Sequence, residues 1–138
     1  MEQFIAGRAL ITYKDKVLVI RESQKYKGGT NIGKYDLPGG KISPGEDFRE
    51  GLIREVQEEC GLEVTLGNPF YLDEWHPIIE GKEIQIIGIF LQAIATTDEV
   101  KLSDDHDDYR WISPAEHEGL PLMEKVTNAL KVYSEIIP

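Results

Sequence analysis

Glu55, Glu58 and Glu59 crowd three carboxylates into five consecutive residues, with Arg54 beside them and Glu46 eight residues before that arginine. On a helix turning about 100° per residue, Glu55 and Glu59 stand one turn apart and Glu58 lies alongside. Like charges at that spacing repel and weaken the helix that carries them. A divalent cation would turn the repulsion into attraction. Magnesium, with manganese as the alternative, takes hard oxygen ligands, typically carboxylates together with substrate phosphates. Zinc lacks its usual ligands, because His76, His106 and His117 are scattered and Cys60 is the only thiol. Arg54 can pair with Glu46 and so tie the preceding loop to the helix. Upstream, Gly39 and Gly40 permit a backbone shape and a close approach that a side chain would forbid. A glycine loop feeding an acidic helix is a sensible cradle for metal-bound phosphates.

These groups need elements to hold them. A helix fits residues 47–60, with Phe48, Leu52, Ile53, Val56 and Cys60 as the apolar stripe expected to face a core. Glu46 lies at its start, where negative charge suits the dipole, and Gly61 follows as a stop. Ahead of it, residues 9–13 and 16–21 are β-branched runs joined at Lys14-Asp15, a hairpin pattern. Residues 23–34, with Gly28, Gly29, Gly33 and three lysines, read as a long mobile loop, and Pro38-Gly39-Gly40 as a firm chain break. Beyond the helix, residues 64–72 and 83–95 read as strands about a turn marked by Pro77 and Gly81. Residues 104–108 form an acidic loop before a short strand over 109–112. Ser113-Pro114-Ala115-Glu116 has the layout of a capping box. Met123, Val126, Leu130, Tyr133 and Ile137 recur at helical steps, giving an amphipathic closing helix that packs on the core. Strands, helix, strands, helix is the order of a mixed sheet with helices packed on it, hence an α/β fold.

The bulk properties agree. At 138 residues, 41% hydrophobic and 29% charged, the chain reads as one globular domain over residues 1–138. No apolar run approaches the roughly 20 residues that span a bilayer, and the N-terminus with Glu2 lacks the layout of a signal peptide. A lone cysteine fits a reducing cytoplasm. A net charge of −10 argues against polymeric nucleic acid as a partner. Residues 1–41 nevertheless hold eight Lys/Arg against four acids, while the remainder holds seven against twenty-one. A basic segment facing an acidic one would hold phosphate and metal together; a generally acidic soluble surface explains the same numbers.

Gly40, five residues, Glu46, seven residues, and then Arg54-Glu55-Val56-Gln57-Glu58-Glu59-Cys60-Gly61-Leu62 resembles a complete Nudix box, every specified position being met. The resemblance implies an α/β/α sandwich with a mixed central sheet and the box as loop-helix-loop. It implies water attack on a diphosphate linked to a further group. Glu55, Glu58 and Glu59 match the family's metal-binding glutamates, and Gly40 a position whose carbonyl often joins the metal. Glu46 and Arg54 match its structural pair. Glu58, Arg54 and Asp105 form the expected catalytic set. Asp105 enters because it precedes His106 in a tract where similar proteins often place a glutamate, and three acids committed to metals are poor bases. Gly39, Lys34, Tyr35 and Trp75 are the expected substrate contacts. Tyr35 stands where many members carry tryptophan. Trp75 could stack on a base, support a dimer contact or cap the sheet.

Compact members of the family are frequently MutT-like, so the expected substrate is a nucleoside triphosphate, cut to monophosphate and pyrophosphate. Pro77, fifteen residues past Leu62, resembles a proline of the family's ADP-ribose hydrolases and keeps ADP-ribose or a nucleoside diphosphate sugar as the alternative. A non-catalytic nucleotide-sensing module is the third reading. No membrane partner is expected, and either a monomer or a homodimer fits.

Overall fold

The chain order is β1 (Glu2–Tyr13), β2 (Lys16–Glu22), β3 (Tyr35–Asp36), β4 (Gly39–Ile42), α1 (Phe48–Cys60), β5 (Val64–Trp75), β6 (Ile78–Ile79), β7 (Lys82–Ala95), β8 (His106–Ile112), a 3-10 helix (Pro114–Gly119) and α2 (Glu124–Ile136). This is the arrangement in a computed structural model that describes residues 1–23 and 33–137. Alternation along the central strands decides the layers. Ala9, Ile11, Leu18, Ile20, Leu91 and Ala93 point into one core with Leu52, Val56 and Cys60 of α1. Their neighbours Leu10, Val17, Val19 and Phe90 point into a second core with Val126, Ala129 and Leu130 of α2. Strands covered on both faces must be apolar at nearly every position, which is why residues 9–11 and 17–20 read as continuous runs. The result is the α/β/α sandwich with a mixed sheet. β1 runs parallel to β7 from Glu2↔Ile84 to Thr12↔Ile94 and antiparallel to β4 and β2. β5 pairs antiparallel with β7, and β8 with β2.

Local chemistry closes the turns, and α1 begins at Phe48, one residue later than expected. Lys14 and Asp15 both take positive φ, 48° and 66°, the backbone of a tight two-residue hairpin. Asp47 caps α1 by accepting from the Glu50 N–H at 2.9 Å. Gly61, at φ 68°, ends it by donating to the Gln57 carbonyl at 2.9 Å.

Several expectations need correction. Ile53 is 40% exposed, because it projects about 100° away from the column Phe48, Leu52, Val56, Cys60 that meets the sheet. Pro38-Gly39-Gly40 is no break: Gly39 opens β4 and pairs with Arg8, and Gly40 pairs with Gly7. β8 begins at His106, inside the stretch read as an acidic loop. Ile137 lies past the end of α2 and is exposed. Of the loop expected over 23–34, Gly28, Gly29, Lys25 and Lys27 fall outside the described residues. Among the described residues no helix is long and apolar enough to cross a membrane.

Candidate active site

β4 lies against β1 at the point where α1 crosses them, and that crossing brings the box residues together. Glu59 turns inward. Its Oε1 accepts from the Gly39 N–H at 2.8 Å, and its Oε2 lies 3.8 Å from His106 Nε2. Burial of the charge pushes the Glu59 carboxyl up to about 8, against the Gly39 hydrogen bond and the nearby Arg8, which favour the ionised form. Glu55 also turns inward and packs on Gly40, where a Cβ would meet its carboxylate at 2.6 Å. Burial likewise raises the Glu55 carboxyl, with Arg54 opposing and Glu58 adding to the shift. Glu58 instead faces solvent.

Arg54 ties the cluster together. Its Nε and Nη2 donate to Glu46 Oε2 at 3.1 and 3.0 Å, and its Nη1 donates to Glu55 at 3.3 Å and to both Glu58 oxygens at 3.2 Å. Glu46 in turn accepts from the Ser43 N–H at 3.1 Å. The loop before the helix is thus fastened to its second turn.

Arg8, Asp36, Gly39, Glu59, Asp105 and His106 line a cavity of about 160 Å³ beside these acids. Arg8 Nε and His106 Nδ1 are buried in the described structure without a hydrogen-bond partner. A second cavity, of about 340 Å³, opens between the end of β5 and α2, with Asp73, Trp75, Met123, Lys125 and Asn128 in its walls. The Trp75 ring packs against Gly88 of β7, where a Cβ would come within 2.6 Å of it. Lys125 Nζ stands 3.8 Å from the centroid of that ring. Asp36 Oδ2 is 3.6 Å from both Arg8 Nε and Lys125 Nζ, so one carboxylate pairs with a cation in the wall of each cavity.

Of the expected substrate contacts, Gly39 and Trp75 line these cavities. Lys34 is exposed and is not a wall of either. Tyr35 needs correction: it is 1% exposed, donates its hydroxyl to Asp108 at 2.5 Å, and belongs to the core packed on α2. Asp36, its neighbour on β3, has the cavity face instead. Arg8, Asp36 and Lys125, not among the expected contacts, also line these cavities. Arg8 carried a signal, being a charge inside the otherwise apolar residues 4–11, and so did Lys125, wedged beside the apolar stripe of α2.

The donor set suits a hard divalent cation. Glu55 and Glu59 offer carboxylate oxygens whose charge burial leaves undercompensated. Among the described residues no group of three or more His, Cys, Asp or Glu is gathered closely enough to hold a metal ion unaided. A pH test follows. Because Glu59 holds its proton more tightly folded than unfolded, its contribution to stability is full below about 4.5 and is lost as pH rises through about 8. Metal-free protein should therefore lose Tm across that window, and magnesium should restore it at the alkaline end by favouring the ionised carboxylate. Glu59→Gln should flatten the slope; an identical pH dependence in that variant would refute the assignment.

The NUDIX domain family matches residues 4–134. Nucleoside triphosphatase NudI of Escherichia coli O1:K1 is 30% identical over 112 residues, 75% of this chain and 79% of that protein. The crystal structure of the MutT protein from Methanosarcina mazei Go1 superposes with a TM-score of 0.84 at 31% identity, covering 97% of this chain and 94% of that one. A MutT Nudix hydrolase from Burkholderia pseudomallei shares the fold at 20% identity, with a TM-score of 0.77 over 96% and 98% of the two chains.

Proposed function

This chain belongs to the Nudix family of pyrophosphohydrolases, and from that premise we propose that it hydrolyses nucleoside triphosphates to a nucleoside monophosphate and pyrophosphate. Nudix hydrolases act on small nucleotides and generally use divalent metal ions. The observation that carries the triphosphate reading is a pair of cavities, one lined by Arg8 and the acids and one lined by Trp75 and Lys125, with Asp36 of the first paired to Lys125 of the second. The 30% identity to a nucleoside triphosphatase supports it.

In this reading Glu55, Glu58, Glu59 and the Gly40 carbonyl hold magnesium, or manganese in its place. The bound cation supplies neutralisation of phosphate charge and acidification of the attacking water. Arg8, anchored by Asp36 at 3.6 Å, meets the phosphates from the opposite wall. Arg54, fixed by Glu46, keeps Glu55 and Glu58 in register with the glycine strand, a preorganisation that avoids rearrangement during the reaction. Water is oriented by a carboxylate. Asp105, which lines the cavity, is the candidate, and Glu58 on the helix is the competing base. The free, buried Cys60 fits a cytoplasmic enzyme, and the chain works as a single domain over residues 1–138.

Pro77 argues little for ADP-ribose, because its carbonyl accepts from the Ile84 N–H at 2.9 Å and serves the turn before β7. The test is a panel of triphosphates, ADP-ribose and nucleoside diphosphate sugars, assayed with magnesium for monophosphate and pyrophosphate. Triphosphates should have the highest kcat/KM, and EDTA should stop the reaction. A higher value for ADP-ribose than for every triphosphate would reverse the ranking. Tight nucleotide binding without turnover of anything would favour a sensing module.

A further inference from the structure

Lys125 is 9% exposed at its side chain, and lysine is rarely buried without a partner or a task. An ammonium carries three N–H donors. Here one faces Asp36 at 3.6 Å and the charge stands over the Trp75 ring at 3.8 Å. Burial lowers its pKa to about 8, with Asp36 resisting the shift, so it remains a charged donor at neutral pH. The cavity it enters also presents Asp73 and Glu124. Those carboxylates repel phosphate and accept hydrogen bonds from N–H groups. Asp73 is itself held in place, accepting from the Tyr71 hydroxyl at 2.9 Å and from the Glu74 N–H at 2.8 Å. An uncharged planar ring with N–H donors on part of its edge suits such walls. What the ring must offer Lys125 is an acceptor, because a buried charged donor left without one is penalised.

We propose that Lys125 is a specificity-determining residue that donates a hydrogen bond to a carbonyl oxygen of a base seated in the cavity that it lines with Asp73, Trp75 and Asn128, so that the pocket favours carbonyl-bearing bases over adenine. Guanine, cytosine and uracil each present an exocyclic carbonyl oxygen that accepts from the ammonium, whereas adenine presents only ring nitrogens and an exocyclic amine whose N–H groups would face it. The inference rests on the triphosphatase reading. Asp36 gives it a mechanical basis: the carboxylate that anchors Lys125 also anchors Arg8, so the group that reads the base and the group that meets the phosphates share one support.

Two measurements test it. The first is kcat/KM for GTP, CTP, UTP and ATP in wild type and in Lys125→Met, which keeps length and packing but has no donor. Wild type should prefer each carbonyl-bearing substrate over ATP by about tenfold or more, the scale of one charge-assisted hydrogen bond. In Lys125→Met that ratio should collapse toward unity. A general loss of fold or activity lowers all four values together and leaves the ratio intact, so it cannot imitate the result. The second needs neither turnover nor the variant: calorimetric titration of wild type with GMP, CMP, UMP and AMP should give AMP the weakest binding. If no triphosphate is cleaved yet the monophosphates still rank in this way, the triphosphatase reading falls and the role of Lys125 stands. Equal kcat/KM across the four bases, a ratio unmoved in Lys125→Met, or equal monophosphate affinities would overturn the inference and leave the triphosphatase reading untouched.

Discussion

Glu59→Gln should lower turnover by about a hundredfold or more while the protein remains folded, as removal of one charge-stabilising group from a preorganised site does. The substitution is nearly isosteric, so packing survives, and the amide oxygen can still accept from the Gly39 N–H at 2.8 Å. What disappears is a formal charge that burial makes costly in the absence of a cation. Stability should accordingly hold or rise, since the variant no longer has to bury an ionisable group whose carboxyl is pushed up to about 8. Glu55→Gln should behave alike, because that side chain is also turned inward against Gly40. Glu58 is 59% exposed at its side chain, and its loss should also weaken the grip of Arg54 on the cluster. The measurements are kcat across a magnesium titration and a thermal melt on the same samples. Full activity of Glu59→Gln at low magnesium would place the cation elsewhere.

The parts of this site that could be read from sequence are those whose geometry is local. Glu55, Glu58 and Glu59 share a helix, so spacing alone gathers them, and Gly61 marks the end of that helix by cap chemistry that acts within one turn. Tyr35 and Asp36 show where locality ends. Both precede the glycine pair, but a strand sends adjacent side chains to opposite faces, and only the pairing of β3 with β2 decides that Tyr35 goes to the core and Asp36 to the cavity. Arg8, Asp36 and Lys125 come from β1, β3 and α2, and no sequence spacing relates them. β4 was hidden for a different reason. Glycine has poor strand propensity, so residues 38–40 resemble a turn until β1 is laid beside them.

That hidden strand supports the last prediction, in which two adjacent glycines should fail differently. At Gly39 a Cβ would lie 2.0 Å from the Gly7 carbonyl oxygen and 2.9 Å from the Arg8 Cα, and the residue has φ 152°. The obstacles are backbone atoms of a paired strand and cannot swing aside. Gly39→Ala must therefore push β4 off β1 or strain the backbone, and should cost about 3 kcal/mol or more of stability. Activity should fall with it, because the displaced N–H is the one that holds Glu59. At Gly40 the nearest atoms to a Cβ are the Glu55 Cδ and Oε2, both at 2.6 Å, the far end of a flexible side chain. Glu55 can rotate away, so Gly40→Ala should stay close to wild type in urea denaturation yet lose about a hundredfold in kcat through its misplaced carboxylate. An unchanged urea midpoint for Gly39→Ala would mean that β4 is not seated on β1 as described. A fully active Gly40→Ala would mean that Glu55 does its work from some other position than against Gly40.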